Sequence, residues 1–393
     1  MEMNLIMIKL YEKDAYQTTF SGKVISCEKE KERWKVVMDQ TCFYPEGGGQ
    51  PADHGMLGEA VVLDVQEEQG QIVHWTDRPL EIEKQVEGQI DWARRFYFMQ
   101  NHTGEHLVSG LIHKKYGYEN VGFHMNEEMI TIDVGGILTP EQLEEMEKEA
   151  NEELSKGREI ETLYPSAEEL QNLAYRSKKE IEGQVRIIRI PECDTCACCG
   201  THVKNTLEIG MIKFLSMQNY KSGVRVTLIC GKRAFENYGK KHKSVMKISH
   251  LLSSKPEEVT EAVERLKEEN QNLRQKIGQL KQMLLEAKAQ MIPDSEKTVF
   301  LWEENLEPGD LRHMINAAMK RTENIMILVP GKEGIFNYAA ACKEKDSRQI
   351  SKALALQFFS KGGGTAQMVQ GTVKGEKEEI KKTFMRTVEE KEC

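Results

Sequence analysis

Between Ser254 and Pro293 apolar residues recur at alternating steps of four and three: Val259, Val263, Leu266, Asn270, Leu273, Ile277, Leu280, Leu284, Ala287 and Met291. That spacing is a heptad seam and predicts a long helix. Ser254 and Glu257 are spaced as a capping box with Pro256 in the first turn, and Pro293 stops the pattern. At 1.5 Å per residue the arm is expected to span about 50 Å and to separate two bodies. Asn270 at a seam position is the residue type that fixes register in coiled coils, which favours self-association; packing within the chain is the alternative.

A chain of 393 residues is also too long for one ordinary core, so several domains are expected. From Leu5 to about Gln89, alternating runs such as KVVMDQ and AVVLDV between Gly and Pro clusters predict a β-barrel-like domain over residues 1–90. From about Asp91 to His113 the spacing becomes helical. Further helices over Pro140 to Ser155 and Ser166 to Leu173, with strands at VRIIRI and VRVTLIC, predict an α+β domain over residues 91–250. The arm covers 254–292. Residues 296–393 alternate strand-like and helical runs and are expected to form a compact C-terminal α/β module, so the whole chain reads as α+β.

Composition narrows the function. The net charge of -9 argues against nonspecific nucleic-acid binding over the whole surface, so an RNA partner must be held by a patch. The segment from Lys204 to Lys247 supplies one, including Arg225, Lys232 and Arg233; a solvated strand face is the plain alternative. Four of the nine cysteines crowd into Cys193, Cys196, Cys198 and Cys199, too tight for several separate disulfides, which points to metal chemistry in a reducing cytosol. No signal peptide is evident at MEMNLIMIKL, and no window holds the roughly 18 apolar residues of a membrane span.

His102 and His106 stand four apart in MQNHTGEHLVSG, so on a helix both imidazoles project from one face. In CDTCACCGTHVKN, Cys198 and His202 are again four apart, with Gly200 able to turn the chain between them. Together these residues make a donor set suited to tetrahedral zinc. The competing arrangement is a structural site built from the loop cysteines alone. A third segment, DQTCFYPEGGGQPADHG, sets Thr41 before an aromatic pair and places Gly47, Gly48, Gly49 and Gln50 in a loop where backbone can approach a ligand closely. It lacks the Lys-Ser/Thr ending of an ATP-type phosphate loop, so no ATP site is expected there. Thr103 replaces the Glu that a zinc peptidase needs directly after its first histidine.

These three segments, Thr-x-Phe-Tyr-x-x-x-Gly-Gly-Gln at Thr41 to Gln50, His-x-x-x-His at His102 and His106, and Cys-x-Gly-Thr-His at Cys198 to His202, resemble the editing domain of alanyl-tRNA synthetase and its free-standing relatives, the AlaX proteins. DWARR before the first histidine and Gly122 to Val134 add to the likeness, which covers residues 1 to about 240. SKGGGTAQMVQG, carrying Gly362, Gly363 and Gly364, looks like the DHH-associated C-terminal domain of the same synthetase, and with the arm it suggests the long AlaX form. The Cys199 beside Cys198 departs from many relatives, which carry Gly there.

The resemblance implies a cytoplasmic trans-editing hydrolase that deacylates tRNA(Ala) mischarged with serine or glycine and that cannot itself charge tRNA. It implies zinc on His102, His106, Cys198 and His202, a serine-discriminating Thr41, and Thr41 and Gln50 in catalysis with Gly47 to Gln50 holding substrate. tRNA contacts are expected from Arg225, Lys232, Arg233 and Gly362 to Gly364, with a homodimer formed through the arm, the C-terminal domain or both. Four protein donors leave no open position unless a ligand leaves or coordination expands. A Thr41 hydroxyl left unpaired by alanine is expected to discriminate by several kcal/mol. The alternatives are a non-catalytic tRNA-binding module with structural zinc and an editor acting on threonine tRNA.

Overall fold

The computed structural model describes residues 7–177, 183–307 and 309–389, and the chain clusters into two compact units, Met1–Lys247 and Ile248–Cys393. In the first, six strands pair in a closed ring in the order Thr19–Glu30, Arg33–Met38, Gln71–Thr76, Ala60–Glu68, Gly55–Leu57 and Gln85–Ile90. Side chains alternate with a period of two, so Ala60 and Val62 turn inward; an irregularity between Val62 and Asp64 then shifts the register, and Val65 joins Val62, Val24, Val36, Leu57 and Ile72 in the core.

The expected helix runs Trp92–Tyr116, opened by the Asp91 side chain accepting from Arg94 N and closed by Gly117 at φ 70°. Residues 98–112 are buried on every side, polar ones included. Such groups need partners inside the protein, and their partners form the site described below. Around the helix lie a four-stranded sheet (Ile212–Tyr220, Gly223–Cys230, Ile130–Val134, Asn120–Met125) and a three-stranded one (Glu161–Leu163, Ile187–Ile190, Asp194–Ala197). The helices Pro140–Ser155 and Ala167–Asn172 each start in a full capping box, Thr139 with Gln142 and Ser166 with Glu169.

The arm forms as the helix Val259–Gln290 in the second unit, but its start differs from expectation. A 3-10 turn at Pro256–Glu258 precedes it, no side chain caps it, and the Ser254 hydroxyl is buried without a partner among the described residues. Its apolar seam is open in the single chain: Val263, Leu266, Leu273, Ile277, Leu280 and Leu284 are 46–62% exposed. The residues that pack are Leu285 and Ala289, which join Met314, Ile315 and the sheet core on a face offset from the seam.

That sheet has the order Thr298–Trp302, Asn324–Pro330, Ile335–Cys342, Met368–Lys374, Phe359–Gly364. Only its first pair is parallel, so the module is a mixed sheet and not an alternating α/β one. Gly362 to Gly364 end the edge strand, and a Cβ on Gly362 would meet the Tyr338 hydroxyl at 2.2 Å, so close packing accounts for that glycine. Among the described residues no helix is long and apolar enough to cross a membrane.

Candidate metal centre

The helix Trp92–Tyr116 carries His102 and His106 one turn apart, with ring centroids separated by 5.3 Å. The loop after the strand Asp194–Ala197 then brings Cys198 and His202 onto the same spot. Cys198 Sγ lies 3.5 Å from His102 Nε2 and 3.3 Å from His202 Nε2, and the four ligand atoms all lie within 4.8 Å of one another. A tetrahedral ion with nitrogen and sulfur donors at about 2.1 and 2.3 Å has ligand–ligand edges of roughly 3.5 Å, so the set is spaced to hold one. Gly200 is required at this point: a Cβ there would sit 2.1 Å from His102 Cε1. Among the described residues no metal-type cluster is made of cysteines alone.

The outer nitrogens confirm which ring atom faces inward. His102 Nδ1 meets Gln50 Oε1 at 2.9 Å, His106 Nδ1 meets Asp194 Oδ2 at 3.0 Å, and His202 Nδ1 meets Thr103 Oγ1 at 3.2 Å. The first two are acceptors only. The Thr103 hydroxyl already donates to Met99 O, so it too must accept from the ring. Each Nδ1 therefore carries the proton and each Nε2 presents its lone pair to the common point. Burial raises the Cys198 pKa, but positive charge on the facing His102, His202 and His106 rings, the place a bound cation would take over, outweighs it and holds the thiol well below its ordinary value.

Gln50, expected in catalysis and substrate binding, is buried and turned toward the ligand residues. Its Oε1 accepts from His102 and from Thr201 N at 3.1 Å, and its Nε2 donates to Thr201 Oγ1 at 2.8 Å. That makes it a positioning residue for His102. The glycine run serves the same end. Gly47 and Gln50 close a turn on each other, with Gly48 and Gly49 at φ 58° and 82°, and a Cβ on Gly49 would strike the Phe123 ring at 2.4 Å. Phe123 in turn stacks on His102 at 5.2 Å.

Thr41 opens the same loop. Its hydroxyl lies 2.8 Å from His74 Nε2 and accepts from Phe43 N at 3.1 Å. His74 Nδ1 faces Val36 O at 3.2 Å, a carbonyl that can only accept, so Nδ1 holds the proton and Thr41 must donate to Nε2. Burial pushes the His74 pKa down to about 4, which keeps the ring neutral. The Thr41 oxygen, on a fully buried residue, thus has its proton committed to His74.

Of the expected RNA contacts, Arg225 is held by Asp133 at 2.6 and 2.8 Å and lies 3.8 Å over the Tyr220 ring. Lys232 is exposed with Glu236 3.8 Å away, and Arg233 lies over Tyr97. Gly362 to Gly364 belong to the other unit.

Asp194, His74 and Glu105 were missed in the sequence. Asp194 also takes Arg176 Nε at 2.8 Å, so a partly buried guanidinium fixes the carboxylate that orients His106. Glu105 is buried, holds Ser109 Oγ at 2.7 Å, and has Oε2 3.9 Å from His106 Nε2. The available signals were a charged residue beside a ligand in HTGEH and a histidine at an inward strand position in GQIVHWT. Removing an outer partner of this type typically costs 10–100-fold in metal affinity, so Asp194→Asn is expected to weaken binding of a divalent metal about 30-fold in a competitive chelator titration. An unchanged affinity would mean that Asp194 does not orient His106.

A family model described as "Threonyl and Alanyl tRNA synthetase second additional domain" matches residues 185–226, and one described as "tRNA synthetases class II (A)" matches residues 10–94. The chain is 28% identical to the alanyl-tRNA editing protein AlaX-L of Pyrococcus horikoshii over 95% of its length and 96% of that protein's. It is 30% identical to the alanine–tRNA ligase of Pyrococcus abyssi over 93% of its own length, which spans 42% of that enzyme. It is 31% identical to the alanyl-tRNA editing protein Aarsd1-A of Xenopus laevis over 65% of its length and 66% of that protein's. The C-Ala domain of Aquifex aeolicus alanyl-tRNA synthetase matches with a TM-score of 0.22 and 19% identity, covering 24% of this chain and 94% of that one.

Proposed function

Because this chain belongs to the family of alanyl-tRNA editing proteins, we propose that it hydrolyses the ester joining serine, or glycine, to the terminal ribose of tRNA(Ala), in the cytoplasm and with zinc at the four-ligand centre. Water adds to the carbonyl carbon, the bond from that carbon to the ribose oxygen breaks, one water proton passes to the leaving ribose oxygen, and the free amino acid departs as a carboxylate after giving its other proton to solvent. The observation that carries this reading is the meeting of three Nε2 lone pairs and one thiolate from segments nearly 100 residues apart. When bound there, zinc would supply Lewis-acid activation of the ester or of the attacking water. The chain's own groups hold that point rigid: Gln50, Asp194 and Thr103 fix the three rings.

Thr41 is our candidate for sensing serine. With its proton given to His74, its oxygen can accept the O–H of a serine side chain, which alanine lacks. Because the hydroxyl keeps His74 and Phe43 as partners when alanine is bound, the several kcal/mol expected of an unpaired group shrinks to that of one net hydrogen bond, about 1 kcal/mol. Thr41→Val should therefore retain zinc and lower the Ser-tRNA to Ala-tRNA ratio of kcat/KM by roughly fivefold. A ratio equal to wild type would remove Thr41 from this role.

The deciding assay is turnover of Ser-tRNA(Ala), Gly-tRNA(Ala) and Ala-tRNA(Ala) by metal-quantified protein. Protein that binds these tRNAs and leaves every ester intact would favour a non-catalytic binding module, and preference for mischarged threonine tRNA would assign the other editor. The open seam of the Val259–Gln290 helix supports a homodimer in which a second copy covers those leucines, and sedimentation at monomer mass would dismiss it.

A further inference from the structure

A cleft of about 1010 Å³ opens in the Met1–Lys247 unit with the ligand His202 on its wall, beside Lys13, Arg186 and Lys204. Arg186 is docked on the ligand loop itself: Nη1 donates to Cys198 O at 2.9 Å and to Gly200 O at 2.8 Å. Its Nε is buried with no hydrogen-bond partner. Arg186 as a whole is half-buried, and among the described residues no carboxylate pairs with it, although a guanidinium is always charged.

Lys13 is the second open cation. It is exposed and, among the described residues, has no carboxylate within ion-pair distance, whereas Lys204 is occupied by Asp14 at 3.2 Å and lies 4.4 Å over the Tyr16 ring. Tyr16 and Tyr164 line the same cleft; the Tyr16 ring is covered by Lys204 and packs on Trp92, whereas Tyr164 is about half exposed. Unpaired cations interleaved with tyrosines are the combination that holds a single-stranded nucleic acid, charge on the phosphate and ring against base.

We propose that this cleft seats the 3′-terminal nucleotide of the tRNA, with Arg186 and Lys13 binding its phosphodiester and a tyrosine face receiving a base. The inference rests on the deacylase reading. The ester to be cleaved sits on the terminal ribose, so the phosphate of that nucleotide must lie within one nucleotide's length of the reacting carbonyl. Arg186, hydrogen-bonded to the backbone of the ligand Cys198, is a cation held at that range. The phosphate would supply the anionic partner that no described carboxylate gives Arg186.

The test is hydrolysis of Ser-tRNA(Ala) by wild type, Lys13→Ala, Arg186→Gln and Arg186→Lys, each with measured zinc content and at several salt concentrations. Losing one charge-assisted phosphate contact should raise KM about tenfold in Arg186→Gln and severalfold in Lys13→Ala, with kcat largely retained. The slope of log kcat/KM against log salt should flatten by about 0.7 in each, the value for one single-strand phosphate contact. Arg186→Lys should recover the slope. Wild-type KM and slope in both neutral variants would overturn the proposal. So would zinc loss in Arg186→Gln with Lys13→Ala unaffected, since Arg186 would then only brace the ligand loop. If wild type cleaves no ester, the deacylase reading fails separately. Titration of a CCA trinucleotide then decides the cleft: binding weakened in Lys13→Ala supports an RNA-end site, and equal or absent binding overturns it.

Discussion

Cys198→Ala is expected to purify as a folded protein with little or no bound zinc and to cleave Ser-tRNA(Ala) at least about 10³-fold more slowly than wild type, the loss expected when several kcal/mol of Lewis-acid stabilisation disappears. Three imidazoles would remain, but the thiolate is the only negative donor among the four ligands. It also touches both flanking rings, His102 at 3.5 Å and His202 at 3.3 Å. Cys199 cannot replace it without moving the loop, because Gly200 is already packed against His102 and Arg186 holds the carbonyls of Cys198 and Gly200. Metal analysis and single-turnover deacylation on one preparation make the check. Full zinc occupancy in Cys198→Ala would show that another residue supplies the fourth ligand, and full activity would remove the metal centre from the reaction.

The largest stability effect is expected at Arg95. Its side chain and that of Asp53 are both fully buried. Arg95 binds Asp53 through Nε, at 3.0 Å to each carboxylate oxygen, and through Nη2; it also donates to Ala15 O at 2.8 Å and Cys42 O at 2.6 Å. Asp53 in turn takes Tyr44 N at 2.7 Å. One ion pair thus ties the N-terminal segment and the 41–53 loop to the helix Trp92–Tyr116. Arg95→Met leaves a carboxylate buried without its counter-charge, which costs about 3–5 kcal/mol, a large share of the 5–15 kcal/mol typical of a folded domain. In urea, followed by tryptophan fluorescence, the midpoint should fall by roughly 2 M at a slope of about 2 kcal/mol per molar. Adding Asp53→Asn to Arg95→Met should recover part of the loss, because the stranded charge is then gone. A single-variant loss below about 1 kcal/mol would mean that water reaches the pair. Since the same loop delivers Gln50 to His102, Arg95→Met should also weaken zinc.

The amino-acid order by itself determined the features written in short stretches of chain: the strands of the first domain, the helix through MQNHTGEHLVSG, the helices that begin at Pro140 and near Ser166, the length of the arm, and the identity of the four candidate ligands. Each depends on contacts a few residues apart, where side-chain period and helix geometry leave little choice. The folded structure alone decided who stands behind those ligands. Asp194 reaches His106 across 88 positions and Gln50 reaches Thr201 across 151, and no local pattern marks such pairs. It also decided that the Thr41 proton belongs to His74, because that follows from the Val36 carbonyl across a strand pair. On the arm, periodicity supplied the apolar stripe but not its partner. The protein packs Leu285 and Ala289 and leaves the seam open, since which face is covered depends on where the neighbouring sheet lies.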